Sequence, residues 1–277
     1  MGVNKGLRTT VFLTATVMNA VLYGVFSLAT ASITSPLLAG RFRPAVVVPA
    51  FFATVFGPLC GGTGAAIGTL IADSLTHGGD VFYGGSWLAS MPGNFIGFFL
   101  FGYIVKKFSW KRFILASEVT LTVANGLVAF LYVFLFKVFY LNLPTYGGAS
   151  LDAQMAFSLG LTLWWYVTML PFVLLLTPLL IRATALAFPS FVPEEVRKNS
   201  LREEISKGSI GAAMMIPGVI MIVAALGITF VWLGANTTSI QIMLYISGAA
   251  LTILGGIVYA KRMRPPSDES KPEKHVE

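Results

Sequence analysis

The sequence predicts an all-α fold, a polytopic membrane helical bundle, and three observations carry that reading. Hydrophobic residues make up 56% of the 277 positions and charged residues 11%, with mean hydropathy +0.78, a composition far from that of soluble domains. Apolar runs recur near Thr9–Ser32, Pro44–Gly57, Leu59–Leu75, Ser86–Val105, Arg112–Phe136, Gln154–Ile181, Ile210–Leu233 and Ile240–Ala260. Of the 19 Lys and Arg, all but Arg41, Arg43 and Lys137 fall on one side when the runs are counted off alternately. That split is the positive-inside pattern, which places both termini in the cytoplasm of a multi-pass cell-membrane protein.

The runs divide six and two. Residues 1–182 are expected to form a six-span core, 183–208 a cytoplasmic linker, 209–262 a C-terminal transmembrane hairpin and 263–277 a disordered cytoplasmic tail rich in Pro, Ser and charge. The first run, Thr10 to Ile33, is too long for the apolar region of a cleavable signal and is read as a span. Pro44–Gly57 is too short to cross upright, since about 20 apolar residues are needed, and Leu59–Leu75 is marginal. The two are expected to form a bent helical hairpin inside the bundle, where neighbours satisfy the backbone groups freed by Phe56-Gly57-Pro58. In the linker, Pro193 precedes Glu194-Glu195, and the i,i+4 pairs Glu194/Lys198 and Glu203/Lys207 describe a short polar helix.

Composition also excludes functions. The net charge of +7 and pI near 9.6 arise from residues between apolar runs and in the tail, with no basic face and no aromatic reading motif, so nucleic acid is not expected. Cys60 is the single cysteine, which rules out an internal disulfide and any multi-cysteine metal site; it reads as a small buried apolar residue. No Gly-x-x-x-x-Gly-Lys-Ser/Thr loop occurs, so ATP hydrolysis would belong to other chains. The two histidines, His77 and His275, and the lack of Gly-x-Ser-x-Gly or His-Glu-x-x-His patterns leave no nucleophile, base and orienter to assign, and an enzyme is not expected.

Polar groups within spans each need a reason. Asp73 and His77 lie four apart, on one helical face near the outer rim; a helix-end ion pair or loop anchor is the first reading and substrate contact the second. With Asp80 they lack a further strong ligand, so no metal and no cofactor is expected. Asn94 follows Pro92-Gly93 early in the fourth run, as either an interhelical hydrogen-bonding group or a ligand anchor. Asn125 beside Gly126 lies in mid-span and is a further candidate substrate-binding residue. Trp164-Trp165-Tyr166 lies well inside the sixth run rather than at the headgroup level, as tight packing or as a stacking wall for a planar ligand. In the first run, Ala20-x-x-x-Gly24 and Ser27-x-x-x-Ala31 are small-residue pairs that let a helix approach closely. The stretch Thr34 to Phe42 is a candidate lid, and Arg41 and Arg43 either attract an anionic ligand or contact headgroups.

The Pro-rich entry at Arg43-Pro44, the Phe56-Gly57-Pro58 turn, the Gly-rich short helix ending in Asp73 and the later Pro92-Gly93-Asn94-Phe95-Ile96-Gly97 helix resemble, over about residues 9 to 182, the substrate-binding S components of energy-coupling-factor (ECF) transporters. That resemblance implies capture of a vitamin-like or precursor small molecule, with Trp87, Ser90 and Asn94 as leading pocket residues. It also implies a transmembrane coupling subunit and two ATPases as partners, docking on the small-residue face of Ala20, Gly24, Ser27 and Ala31. Here Ala20/Gly24 stands where the family has Ala-x-x-x-Ala, and the C-terminal hairpin exceeds the usual six spans. A ligand-free assembly subunit of a membrane complex is the competing expectation.

Overall fold

The computed structural model describes residues 5–35, 37, 39–202, 205–227 and 237–261. It is helical throughout, without strands among the described residues, and the molecule is an all-α polytopic bundle. The helices are α1 (Lys5–Ala29), α2 (Val47–Phe56), α3 (Pro58–Thr76), α4 (Met91–Ile104), α5 (Trp110–Phe130), α6 (Pro144–Gly147), α7 (Leu151–Ala187), α8 (Glu194–Arg202), α9 (Lys207–Gly227) and α10 (Thr237–Ala260). A π-helical turn, Ser86–Ser90, leads into α4, and a π-helical segment, Leu131–Tyr140, prolongs α5. Six of these stretches are long and apolar enough to cross a membrane: Thr9–Ala29, Ser86–Ile104, Trp110–Tyr140, Leu151–Ala187, Lys207–Leu226 and Ile240–Ala260. Pro171 and Pro178 do not end α7, which runs on to Ala187, beyond the expected end at Ile181; within a bundle, neighbours and Ser/Thr side chains compensate for the lost hydrogen bonds. The expected run to Leu233, the Glu203/Lys207 pair, Pro36 and the tail 263–277 fall outside the described residues.

Neighbours in sequence pack as neighbours in space, α1 on α3, α3 on α4, α4 on α5 and α5 on α7, while α2 touches α1, α3, α4 and α7. The short α2 is therefore the central post of the bundle. Its Val47, Val48, Ala50, Phe52, Ala53 and Val55 are all buried, which explains why it is apolar on every side. Gly57 turns the chain at φ +92°, a conformation that favours glycine, and Pro58 opens α3 at a position where no amide donor is missed. The expected bent pair is thus a short helix followed by a longer one, both inside the bundle.

Helix α3 is thin where others close on it. A Cβ at Gly61 would meet Ala53 of α2 at 2.4 Å, and one at Gly68 would meet the Ala20 carbonyl of α1 at 2.6 Å. Asn19, fully buried, donates from Nδ2 to the Cys60 carbonyl at 2.9 Å. The tightest backbone approach is between α4 and the α2–α3 turn, where a Cβ on Gly102 would lie 2.5 Å from Pro58 Cα and 2.7 Å from its nitrogen. Gly102→Ala is expected to destabilise the protein by about 1–3 kcal/mol through overpacking, read as a lower thermal midpoint in detergent. Gly126→Ala, with nothing within 4 Å, serves as the control; equal midpoints would refute the close approach.

At the end of the bundle rich in Lys and Arg, here the basic end, α8 is held by Arg182 Nε donating to the Ser200 carbonyl and Asn199 Nδ2 to that of Phe108, both at 2.9 Å. Glu194 pairs with Lys198 at 2.6 Å, as its i,i+4 spacing requires. Beyond it, α9 and α10 pack closely against each other, and α10 lies on α7. A Cβ on Gly211 would touch the Gly255 carbonyl at 2.7 Å, and one on Gly218 the Gly248 carbonyl at 2.8 Å.

Candidate functional site

The opposite end of the bundle holds a cavity of about 210 Å³. Its roof is the connection from α1 to α2, which turns back on itself: Ser35 N–H donates to the Gly40 carbonyl at 2.9 Å and Phe42 N–H to that of Ile33 at 2.8 Å, with Thr34 and Arg41 bridged antiparallel. This loop is fastened to α7. Trp165 Nε1 donates to the Arg41 carbonyl at 3.0 Å, Gly40 at φ +78° lies so close that a Cβ would meet the Trp165 ring at 2.8 Å, and Phe42 meets Phe172 edge-on at 5.6 Å.

The polar wall comes from α3 and the chain after it. Arg43 forms an ion pair with Asp73, and Ser86 Oγ donates to the other Asp73 oxygen at 3.0 Å. Burial alone would lower the pKa of the Arg43 guanidinium, but the neighbouring Asp73 and the Tyr23 hydroxyl outweigh it and raise that pKa above its ordinary value. His77 Nδ1 lies 2.7 Å from the Asp73 carbonyl; a carbonyl only accepts, so Nδ1 carries a proton and donates it. The His77 ring stacks on Tyr83 at 3.7 Å.

The far wall is built by the two π-helical segments, which pack against each other. They present Ser90 and Tyr132 to the cavity, and Val128 lies one turn before Tyr132. Extra residues in a helical turn re-aim side chains, and such segments recur at functional sites. Tyr132, Phe136 and Tyr140 form an aromatic file along Leu131–Tyr140, over which Lys137 Nζ lies 5.1 Å from the Tyr132 centroid.

Of the residues singled out in the sequence, Arg41, Arg43, Asp73, His77, Ser90 and Trp165 line this cavity, together with Thr34, Ala39 and Gly40 of the candidate lid; Trp87, Asn94, Asn125, Trp164 and Tyr166 do not. Asn94 is buried and donates from Nδ2 to Thr69 Oγ1 at 3.1 Å and to the Ser90 carbonyl at 2.8 Å, which joins α4 to α3. Trp87 is 49% exposed, its indole N–H on the Val81 carbonyl at 2.9 Å. Asn125 is buried with its Nδ2 unpartnered, and Trp164 Nε1 is likewise unpartnered. Tyr166 donates to Glu118 of α5, an intramembrane carboxylate that the sequence reading passed over although its position in a long apolar run marks it.

The small-residue face of α1 needs correcting as an outward docking surface. Ala20, Gly24 and Ser27 are buried, and a Cβ on Gly24 would lie 2.9 Å from Ile71 of α3. Close helix packing is what small residues serve, and here it is satisfied within the chain; of the four only Ala31 is partly accessible. The exposed face of α1 is apolar, with Leu13, Val17, Val21, Val25 and Phe26.

Tyr83 and Tyr132 line the cavity without having been singled out. For Tyr132 the obstacle was register, because an α-helical period carried past Phe130 misplaces every residue of the π-helical segment. Among the described residues no three of His, Cys, Asp and Glu gather as a metal site. The fold defines a multi-pass all-α membrane protein with a roofed polar cavity at one end. No protein-family model, curated protein or solved structure matches the chain.

Proposed function

We propose that this protein is a membrane-embedded substrate-capture subunit, binding a small vitamin-like or precursor molecule for uptake, as the resemblance to ECF S components implies. The observation that carries the reading is the roofed cavity, whose walls mix aromatic rings with a few convergent polar groups, the chemistry of small-molecule sites. The distribution of Lys and Arg supports a plasma-membrane orientation with both termini cytoplasmic and the cavity facing outward. The chain has no nucleotide-binding loop, so the energy for release would come from a transmembrane coupling subunit and two ATPases. With Ala20, Gly24 and Ser27 packed on α3, such a subunit would meet the apolar outer face of α1.

Native mass spectrometry of the purified full-length protein tests this. A stoichiometric small molecule released on denaturation is the expected result. An empty protein that copurifies with other membrane chains would instead identify an assembly subunit.

A further inference from the structure

The charges around the cavity do not balance. Two guanidinium groups, Arg41 and Arg43, and one carboxylate, Asp73, line it. Asp73 is fully engaged, with Arg43 on one oxygen and Ser86 on the other. The Arg41 side chain makes no ion pair and no hydrogen bond among the described residues, although its backbone is pinned by Trp165. A guanidinium on a pinned stretch of backbone, without a counter-charge among the described residues and beside aromatic rings, is free to form one half of a bidentate pair.

Resting on the capture reading above, we infer that the ligand is a small planar monoanion: a single aromatic or heteroaromatic ring bearing one carboxylate. The carboxylate is received by Arg41, which offers parallel N–H donors, and the ring lies among Trp165, Tyr83 and Tyr132. His77, through Nε2, and Ser90 are the groups left to read a ring substituent. Size points the same way. At about 210 Å³ the cavity lies below the roughly 300–1,000 Å³ of sites that take drug-sized ligands, which suits a single ring better than several. Among the described lining residues Arg41 is the one arginine without a counter-charge, which suits one negative charge rather than two, and a ligand cation would face it unshielded.

The test incubates the full-length protein in nanodiscs with an aqueous metabolite extract of the expressing cells, removes unbound material and identifies what is released by mass spectrometry. The expected result is a retained compound with one ring and one acidic group. Re-added pure, it should bind Arg41→Gln about 30-fold or more weakly than the parent, the effect of removing one partner from a buried charge pair, with Arg41→Lys between the two. Its uncharged amide should bind the parent as weakly as the acid binds the Arg41→Gln variant. A retained neutral or cationic compound overturns the inference and leaves the capture reading standing, as does an acid that Arg41→Gln holds equally well. The charge of the retained compound is read on the parent protein, so this arm does not depend on any variant folding. Nothing retained at all refutes the capture reading, and the inference with it.

Discussion

Asp73→Ala is expected to lower stability by about 3–5 kcal/mol, the penalty for leaving one member of a buried ion pair without its partner. The Asp73 side chain is 6% exposed and that of Arg43 14%, so little water reaches the pair to take over the lost role. Ser86 would lose its acceptor as well. For a chain of this size the thermal midpoint should fall by about 10 °C. The double variant Arg43→Met/Asp73→Leu should recover most of the loss, because an apolar pair of similar volume replaces a buried ion pair at little cost. If Asp73→Ala alone leaves the midpoint unchanged, the pair is solvated and the description of this wall is wrong.

Trp165→Ala is expected to cost about 3–5 kcal/mol, as for other buried aromatic truncations, and to abolish retention of the ligand. Trp165 supports the Gly40 turn, donates to the Arg41 carbonyl and forms part of the cavity wall. Its removal therefore unfastens the roof as well as opening a void. The neighbouring Trp164→Ala is the informative comparison. Trp164 is half-buried, does not line the cavity and keeps an indole N–H without an acceptor, so its loss relieves an unsatisfied donor and should cost less than half as much, with ligand retained. Equal loss of ligand in both variants would remove Trp165 from its assigned place.

Much of the fold was legible because membrane helices announce themselves by length and apolarity. The predicted runs Ser86–Val105 and Ile240–Ala260 coincide with observed spans to within a residue, and Pro193 with its following acids marks the start of α8. The parts that were not legible have physical reasons. Helix α7 runs past the expected Ile181 to Ala187, because Arg182 ends an apolar run without ending a helix, arginine being a good helix former. The π-helical segments have no periodic signature distinct from the helices they extend, so the side of the bundle that Tyr132 faces could not be read. Asn94 illustrates the remaining limit. Its residue type fits ligand anchoring and interhelical bonding equally, and only the position of Thr69, 25 residues away in sequence, decides where its amide protons go.

The glycines of the C-terminal hairpin carry a consequence for its shape. Gly211 and Gly218 on α9 face Gly255 and Gly248 on α10, and the spacing on each helix is one heptad. Small residues at matching levels let the two helices approach until their backbones meet. The hairpin is thus an antiparallel pair in which backbone lies on backbone at two levels. Met243 of this pair touches Gly160 of α7 from one side while Leu37 of the cavity roof touches it from the other, each within 3.3 Å of where a Cβ would stand. The hairpin is in this way braced against the same glycine that bears the roof, and any displacement of the hairpin reaches that loop across a single residue.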